Sequence, residues 1–336
     1  MEQKAWIRKQ SGMTTAGQTE SCCMERGLEK SEIEIREKNG VTYLAFPALD
    51  ATGLVSHAFS TRHGGVSEGV FSTMNFSFTR NDDPQHVMEN YRRMAAVLGT
   101  DAEKMVLSYQ THTTNVRKVT EEDAGKGIVK ERDYQDVDGL ITDIPGITLV
   151  TFYADCVPLY FVDPVHRAVG LSHSGWRGTV HRMGKATLEA MNREYGTEPA
   201  DVIACIGPSI CQDCFEVGPE VAAEFAAGFA EQYHNDLFYQ KPDGKYQVDL
   251  WRANQIVLRE AGIPANQIHT TDICTRCNPA HLFSERSWER SGEIWQPFWL
   301  SESRDKIILD KKSFAQHLYT LREALFCDPI KIYWMV

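Results

Sequence analysis

Long apolar runs are missing from this chain of 336 residues. No window approaches the ~18 to 20 apolar residues of a membrane span, and the N-terminus lacks the short apolar stretch of a secretion signal. No membrane association is therefore expected, and the expected compartment is the cytoplasm. Positive charge is also scarce. Lys and Arg total 35 against 46 Asp and Glu, a formal net charge of −11, which excludes a chain whose main task is to coat a nucleic-acid backbone but leaves room for a local basic pocket. Internal repeats and low-complexity linkers are absent, so solenoids and tethered arrays drop out. The 11 histidines contain no His-x-His pair, which weighs against a multicopper centre because its trinuclear cluster demands many imidazoles.

What remains is an ordinary globular composition, 42% hydrophobic and 24% charged, long enough to bury a large core. Nine cysteines without an export signal read as thiols or metal ligands rather than a disulfide framework. Residues 1–35 are polar with no sustained apolar period and are expected to form a poorly ordered extension. From Val41 onward, short β-rich runs alternate with turn residues: Thr42 to Phe46, His57 to Thr61, Met105 to Tyr109, Asn115 to Val119, Gly139 to Thr142, Thr148 to Tyr153, Leu159 to Val162, Ala168 to His173 and Val202 to Ile206. Helices are predicted from Asp82 or Asp83 through Leu98, over Thr179 to Tyr195, Pro219 to Ala230 and Leu250 to Ala261. Sequential strands with flanking helices favour a mixed-sheet α/β or α+β domain over a doubly wound one.

Three segments place reactive side chains at predicted strand ends, where scaffolds usually present chemistry. They are Gln110-Thr111-His112, Ala154-Asp155-Cys156-Val157-Pro158 and His173-Ser174-Gly175-Trp176-Arg177-Gly178. A thiolate and two imidazoles form a three-ligand set for Zn²⁺ with an open fourth position. Without metal, a Cys activated by a nearby His is a nucleophile. Taken singly, each His is more often a hydrogen-bonded structural residue and the Cys more often core, so the sequence leaves both chemistries open. Arg62 and Arg177 are the candidates for anion binding, since guanidinium matches phosphate with a fixed fork of donors. Asn75 is a candidate for hydrogen-bonding a bound ligand, Trp176 for stacking on a flat one, and Asp155 for orienting a metal-binding imidazole. A second set, Cys211-x-x-Cys214 and Cys274-x-x-Cys277, has the short spacing of zinc knuckles. Its two halves are much further apart than the usual ~15 to 20 residues, so thiols or a reversible disulfide are expected there ahead of a structural metal site.

The same segments, taken with Thr61-Arg62-His63-Gly64-Gly65-Val66-Ser67, Ser72-Thr73-Met74-Asn75, Asp138-Gly139-Leu140-Ile141-Thr142, Ile206-Gly207-Pro208-Ser209-Ile210, Phe215-Glu216-Val217-Gly218 and Asp249-Leu250, resemble the YfiH and laccase-domain-containing family. The resemblance runs in order over residues 41–284. It implies a single four-layer α/β/β/α domain with mixed sheets, holding Zn²⁺ through residues matching His112, Cys156 and His173. It also implies purine nucleoside phosphorylase activity on adenosine, inosine, guanosine and methylthioadenosine, together with adenosine deamination; purine nucleosides and phosphate would be the partners. The family's older label is a copper-dependent polyphenol oxidase, with Cu²⁺ as cofactor. A metal-free Cys-His hydrolase and a non-catalytic nucleoside-binding protein are the other readings.

Two departures stand out. Ser174 replaces the Ala common in the family. After Ser284 the family's closing segment gives way to Glu285-Arg286-Ser287-Trp288-Glu289-Arg290, to Trp295-Gln296-Pro297-Phe298-Trp299 and to a long unrelated tail. Residues 285–336 therefore read as a divergent tail, either the product of a shift of reading frame, which would remove the family's C-terminal strand, or a true extension that packs or binds something.

Overall fold

Period-two alternation builds this molecule, because neighbouring positions on its strands face different hydrophobic cores. The computed structural model describes residues 32–287 and 330–335. Along Val157–Asp163, Leu159 and Phe161 enter one core while Tyr160 and Val162 enter another. Along Met105–Leu107, Val106 joins that second core while Met105 and Leu107 join a third. A strand buried on both faces must be covered on both, and three cores separated by two sheets make four layers.

The first sheet runs in the order Glu34–Lys38, Val41–Ala45, Val55–Ser60, Ile330–Met335, Thr148–Phe152 and Met105–Leu107. The second runs Ile268–Thr270, Ile203–Ile206, Val157–Asp163, Ala168–Ser174, Gly139–Thr142 and Val116–Lys118. Both mix parallel and antiparallel pairs. The helix Pro84–Leu98 covers the outer face of the first sheet through Val87, Tyr91, Met94 and Leu98. Asp83 caps its start by accepting from Gln85 N, and Gly99 ends it in the left-handed region at φ 70°. Met183–Tyr195 and Leu250–Glu260 cover the second sheet, packing Leu188, Met191, Ile256 and Val257 onto Leu159, Phe161 and Ile206. The expected α/β fold with mixed sheets is therefore observed.

Three differences from the sequence reading have physical causes. The strand Glu34–Lys38 lies partly inside the expected extension; its charged residues belong to an exposed sheet edge, where Arg36 pairs with Asp50 at 2.6 Å. The expected helix Thr179 to Tyr195 is two helices, Trp176–Val180 and Met183–Tyr195, parted at Arg182 with φ 65°. A lost reading frame would leave the sheet without a C-terminal strand, and one is present: Ile330–Met335 pairs parallel with both Val55–Ser60 and Thr148–Phe152. Trp288, Trp295 and Trp299 lie outside the described residues.

One buried histidine ties the core to pH. Phe46 N donates to His57 Nε2 at 2.7 Å, and Tyr160 meets the same ring edge-on. Burial brings His57 down to about 4 from 6.5, with Asp50 opposing and Arg36 reinforcing. Below 6.5 the unfolded chain takes up a proton that the folded chain refuses, so this stabilisation is full above pH 6.5 and is lost as pH falls toward 4. Urea unfolding across that range should show about 3 kcal/mol of lost stability from this group. His57→Gln should flatten that slope; identical slopes in the two proteins would dismiss the effect.

Candidate functional site

The strand register of the second sheet places the reactive groups. Val157–Asp163 pairs antiparallel with Ala168–Ser174, with Pro158 opposite His173, so Cys156, just before the first strand, lies beside His173 near the end of the second. Ala168–Ser174 pairs in turn with Gly139–Thr142, and His173 N donates to Asp138 O at 2.8 Å. His112 arrives from the loop after Met105–Leu107, the edge strand of the first sheet.

Asp138 organises this convergence. Its carboxylate accepts from the backbone N–H groups of Thr111, His112 and Thr113 at 3.0, 3.0 and 2.9 Å, and from His173 Nδ1 at 2.8 Å. Three consecutive amides aimed at one carboxylate form an anion-binding nest, and they hold His112 at φ 66° in the left-handed region. Burial pushes the Asp138 carboxyl up, but the His173 and backbone hydrogen bonds outweigh it and hold the group below its ordinary range.

The donor atoms of His112, Cys156 and His173 lie within 4.8 Å of one another, with His112 Nε2 3.8 Å from Cys156 Sγ. Burial pushes the Cys156 thiol up, but the charge on His173 and hydrogen bonds from both imidazoles bring it down to about 6. Burial lowers His173, while Cys156 and Asp138 together raise it to about 9. The residues thus favour a thiolate, the protonation state of both a nucleophile and a metal ligand. Gly175 leaves the cluster its space: a Cβ there would lie 2.9 Å from His112 Cδ2 and 3.0 Å from Cys156 Sγ. Two imidazoles, one thiolate and a carboxylate behind one imidazole fit a zinc-type ion with an open coordination position.

The cluster lies in a cleft of roughly 590 Å³, the size of a small-molecule site. Phe78, Phe152, Trp176 and Phe283 give it flat apolar walls, and Arg80, Arg132 and Arg286 line it with positive charge. Burial lowers Arg80 to about 10 against the opposing charge of Glu285. Arg132 lies over the Tyr109 ring at 4.6 Å, and Arg286 Nη1 donates to Glu216 O at 3.0 Å.

The other candidates are placed differently. Arg62 is not in the cleft lining; it donates to the carbonyls of Ser72, Pro279 and Val70 and stacks on Phe283 at 4.5 Å. Arg177 is exposed and lies over the Trp176 ring at 4.3 Å. Asn75 lines the cleft, but its amide donates to Asp82 and Ser77 and folds its own loop. Asp155 accepts from Thr275 Oγ1 at 2.6 Å and Arg286 N at 2.9 Å; the carboxylate that orients an imidazole is Asp138, correcting the expectation for Asp155. Ser174 is accommodated by Asn254 and Thr179 at 2.9 and 3.0 Å, so its buried hydroxyl is satisfied.

A family model described as multi-copper polyphenol oxidoreductase laccase matches residues 56–301. "Purine nucleoside phosphorylase YlmD" of Bacillus subtilis is 34% identical over 237 residues, covering 68% of this chain and 82% of that protein. "Adenosine deaminase RL5", from an unknown prokaryotic organism, is 39% identical over 232 residues, covering 68% and 87%. The crystal structure of YlmD from Geobacillus stearothermophilus superposes with a TM-score of 0.69 at 33% identity, covering 77% of this chain and 94% of that one. With its layered fold and the relatives it matches along most of their length, this chain belongs to the laccase-like YfiH family, an enzyme family with members named purine nucleoside phosphorylase and adenosine deaminase.

Proposed function

We propose that this chain is a zinc-dependent purine nucleoside phosphorylase that also deaminates adenosine. The observation that carries the reading is the convergence of His112, Cys156 and His173 in an aromatic-walled, arginine-lined cleft. The names of the relatives supply the substrate class. A polyphenol oxidase would need a multi-histidine copper cluster; among the described residues the metal-capable groups are this His-Cys-His set and a four-cysteine set.

In phosphorolysis the bond from the ribose anomeric carbon to the purine nitrogen breaks, and a bond from that carbon to a phosphate oxygen forms. In deamination water adds at the purine carbon bearing the amine and ammonia leaves. His112, Cys156 and His173 would hold the zinc, which when bound supplies Lewis-acid polarisation and a lowered pKa for water. Asp138 keeps His173 Nδ1 as a donor, so the other ring nitrogen faces the cleft side of the cluster. The aromatic walls stack on the purine and exclude water. We assign anion handling to Arg80, Arg132 and Arg286, because they line the cleft, rather than to Arg62 and Arg177.

Incubation with inosine and phosphate should release hypoxanthine and ribose 1-phosphate, and adenosine without phosphate should yield inosine and ammonia. His112→Ala, Cys156→Ala and His173→Ala should each lower both turnovers more than about a hundredfold; undiminished turnover would overturn the assignment. Asp138→Asn keeps an acceptor but loses the charge, and should weaken zinc affinity about 10- to 100-fold in competition with a chromophoric chelator. Unchanged affinity would remove Asp138 from that role. Arg80→Ala should raise the phosphate KM about tenfold or more while Arg177→Ala leaves it unchanged; the reverse pattern would restore the assignment to Arg177.

A further inference from the structure

The two Cys-x-x-Cys pairs meet, although 63 residues separate Cys211 from Cys274 and Cys214 from Cys277. Parallel pairing explains how. Ile203–Ile206 and Ile268–Thr270 are parallel neighbours, so the loops leaving their C-terminal ends run side by side, and Ser209 bridges to Cys274 in the same parallel sense. Equivalent positions on the two loops therefore come together. The four Sγ atoms lie within 4.8 Å of one another, with Cys214 and Cys277 at 3.4 Å. Cys211 N donates to Cys274 Sγ at 3.3 Å, a charge-assisted bond once that sulfur is a thiolate.

We propose that Cys211, Cys214, Cys274 and Cys277 bind a structural zinc ion, separate from the His112-Cys156-His173 cluster. A tetrahedron with Zn–S bonds of about 2.3 Å has sulfurs about 3.8 Å apart, within the spread observed here. An iron–sulfur cluster inserts an inorganic core among its cysteines and needs them further apart. A disulfide brings its two sulfurs to about 2.05 Å, whereas Cys214 and Cys277 stand 3.4 Å apart. Three of the four cysteines are buried, where a bound ion keeps their charge compensated. Binding releases the thiol protons and leaves the metal oxidation state unchanged.

The position gives this ion a purpose. One loop carries Ile210, whose N–H donates to Asp155 O, and Phe215 in the cleft wall. The other carries Thr275, which donates to the Asp155 carboxylate, and continues to Phe283 and to Arg286, which lies over the Phe215 ring in the same wall. The ion staples together the two loops that grip the residue preceding Cys156.

The test separates this site from the first. In the His112→Ala/Cys156→Ala/His173→Ala protein, purified under reducing, zinc-replete conditions, elemental analysis should find one zinc per chain. X-ray absorption should show a first shell of four sulfurs at about 2.3 Å without nitrogen. Adding Cys214→Ser and Cys277→Ser should remove that ion. Absence of zinc from the triple variant, nitrogen in its first shell, retention of zinc after the serine substitutions, or a Cys214–Cys277 disulfide in protein kept anaerobic would each overturn the proposal. Should the serine variant not fold, the absorption spectrum of the triple variant decides. None of these readouts depends on whether the first cluster takes zinc.

Discussion

A single buried carboxylate holds the candidate site together. Asp138 accepts three successive backbone N–H groups and an imidazole N–H, and its own carbonyl accepts from the backbone of His173. Each of these bonds to a buried charge is stronger than a neutral one, and leaving the carboxylate short of partners would cost several kcal/mol. Those bonds fix two of the three cluster residues from opposite sides: His112 through its backbone, His173 through its ring and its strand. The left-handed conformation of His112 costs of order 1 kcal/mol or more, and the nest around Asp138 offsets it. Cys156 needs no such tie, since antiparallel register already sets it next to His173.

Much of the fold was legible because its strands alternate. The runs from Thr42 to Phe46 and from Ala168 to His173 are found within a residue or two of their expected bounds, and the Pro84–Leu98 helix announces itself through Asp83, Pro84 and its apolar face. The three cluster residues were legible through their motifs. Asp138 was not read as an organiser, because Asp before Gly at a strand start reads as turn chemistry. Its partners at His112 and His173 are 26 and 35 residues away, and no local pattern records that distance. The position of Arg62 was hidden for a related reason: a long side chain ends up where packing sends it, and Arg62 is drawn to three loop carbonyls. The cysteine pairs show the same limit from another side. Their spacing argues against a common site until parallel strands bring distant loops into register.

Environment, rather than residue type, divides the cysteines. Cys205 faces the core between the sheets, and burial pushes its thiol well above the ordinary range, so it is an apolar filler. Cys156 is half-buried in the cleft lining, and two imidazoles meet its sulfur and reverse the balance. The difference follows from strand position: Cys205 pairs with Tyr160 in the middle of a ladder, whereas Cys156 stands just before one, where the loop brings in polar partners. The candidate site thus lies where ladders end.

That location also sets how the far sheet reaches the site. Cys156 and His173 lie at strand ends of the second sheet, whereas the His112 loop leaves from the first sheet's edge strand. Gln110, two residues earlier, accepts from Phe152 N and donates to Phe152 O, both at 2.7 Å. This two-point grip pins the loop to the end of Thr148–Phe152, and Phe152 pairs in register with Met335. The C-terminal strand is thus one ladder step from the residue that positions the His112 loop. It fills the sheet between Val55–Ser60 and Thr148–Phe152, where removing it would expose two rows of backbone hydrogen-bonding groups. The consequence would not stop at stability. A loosened Thr148–Phe152 end would release Gln110, and with it the His112 side of the cluster, while Cys156 and His173 kept their register in the second sheet.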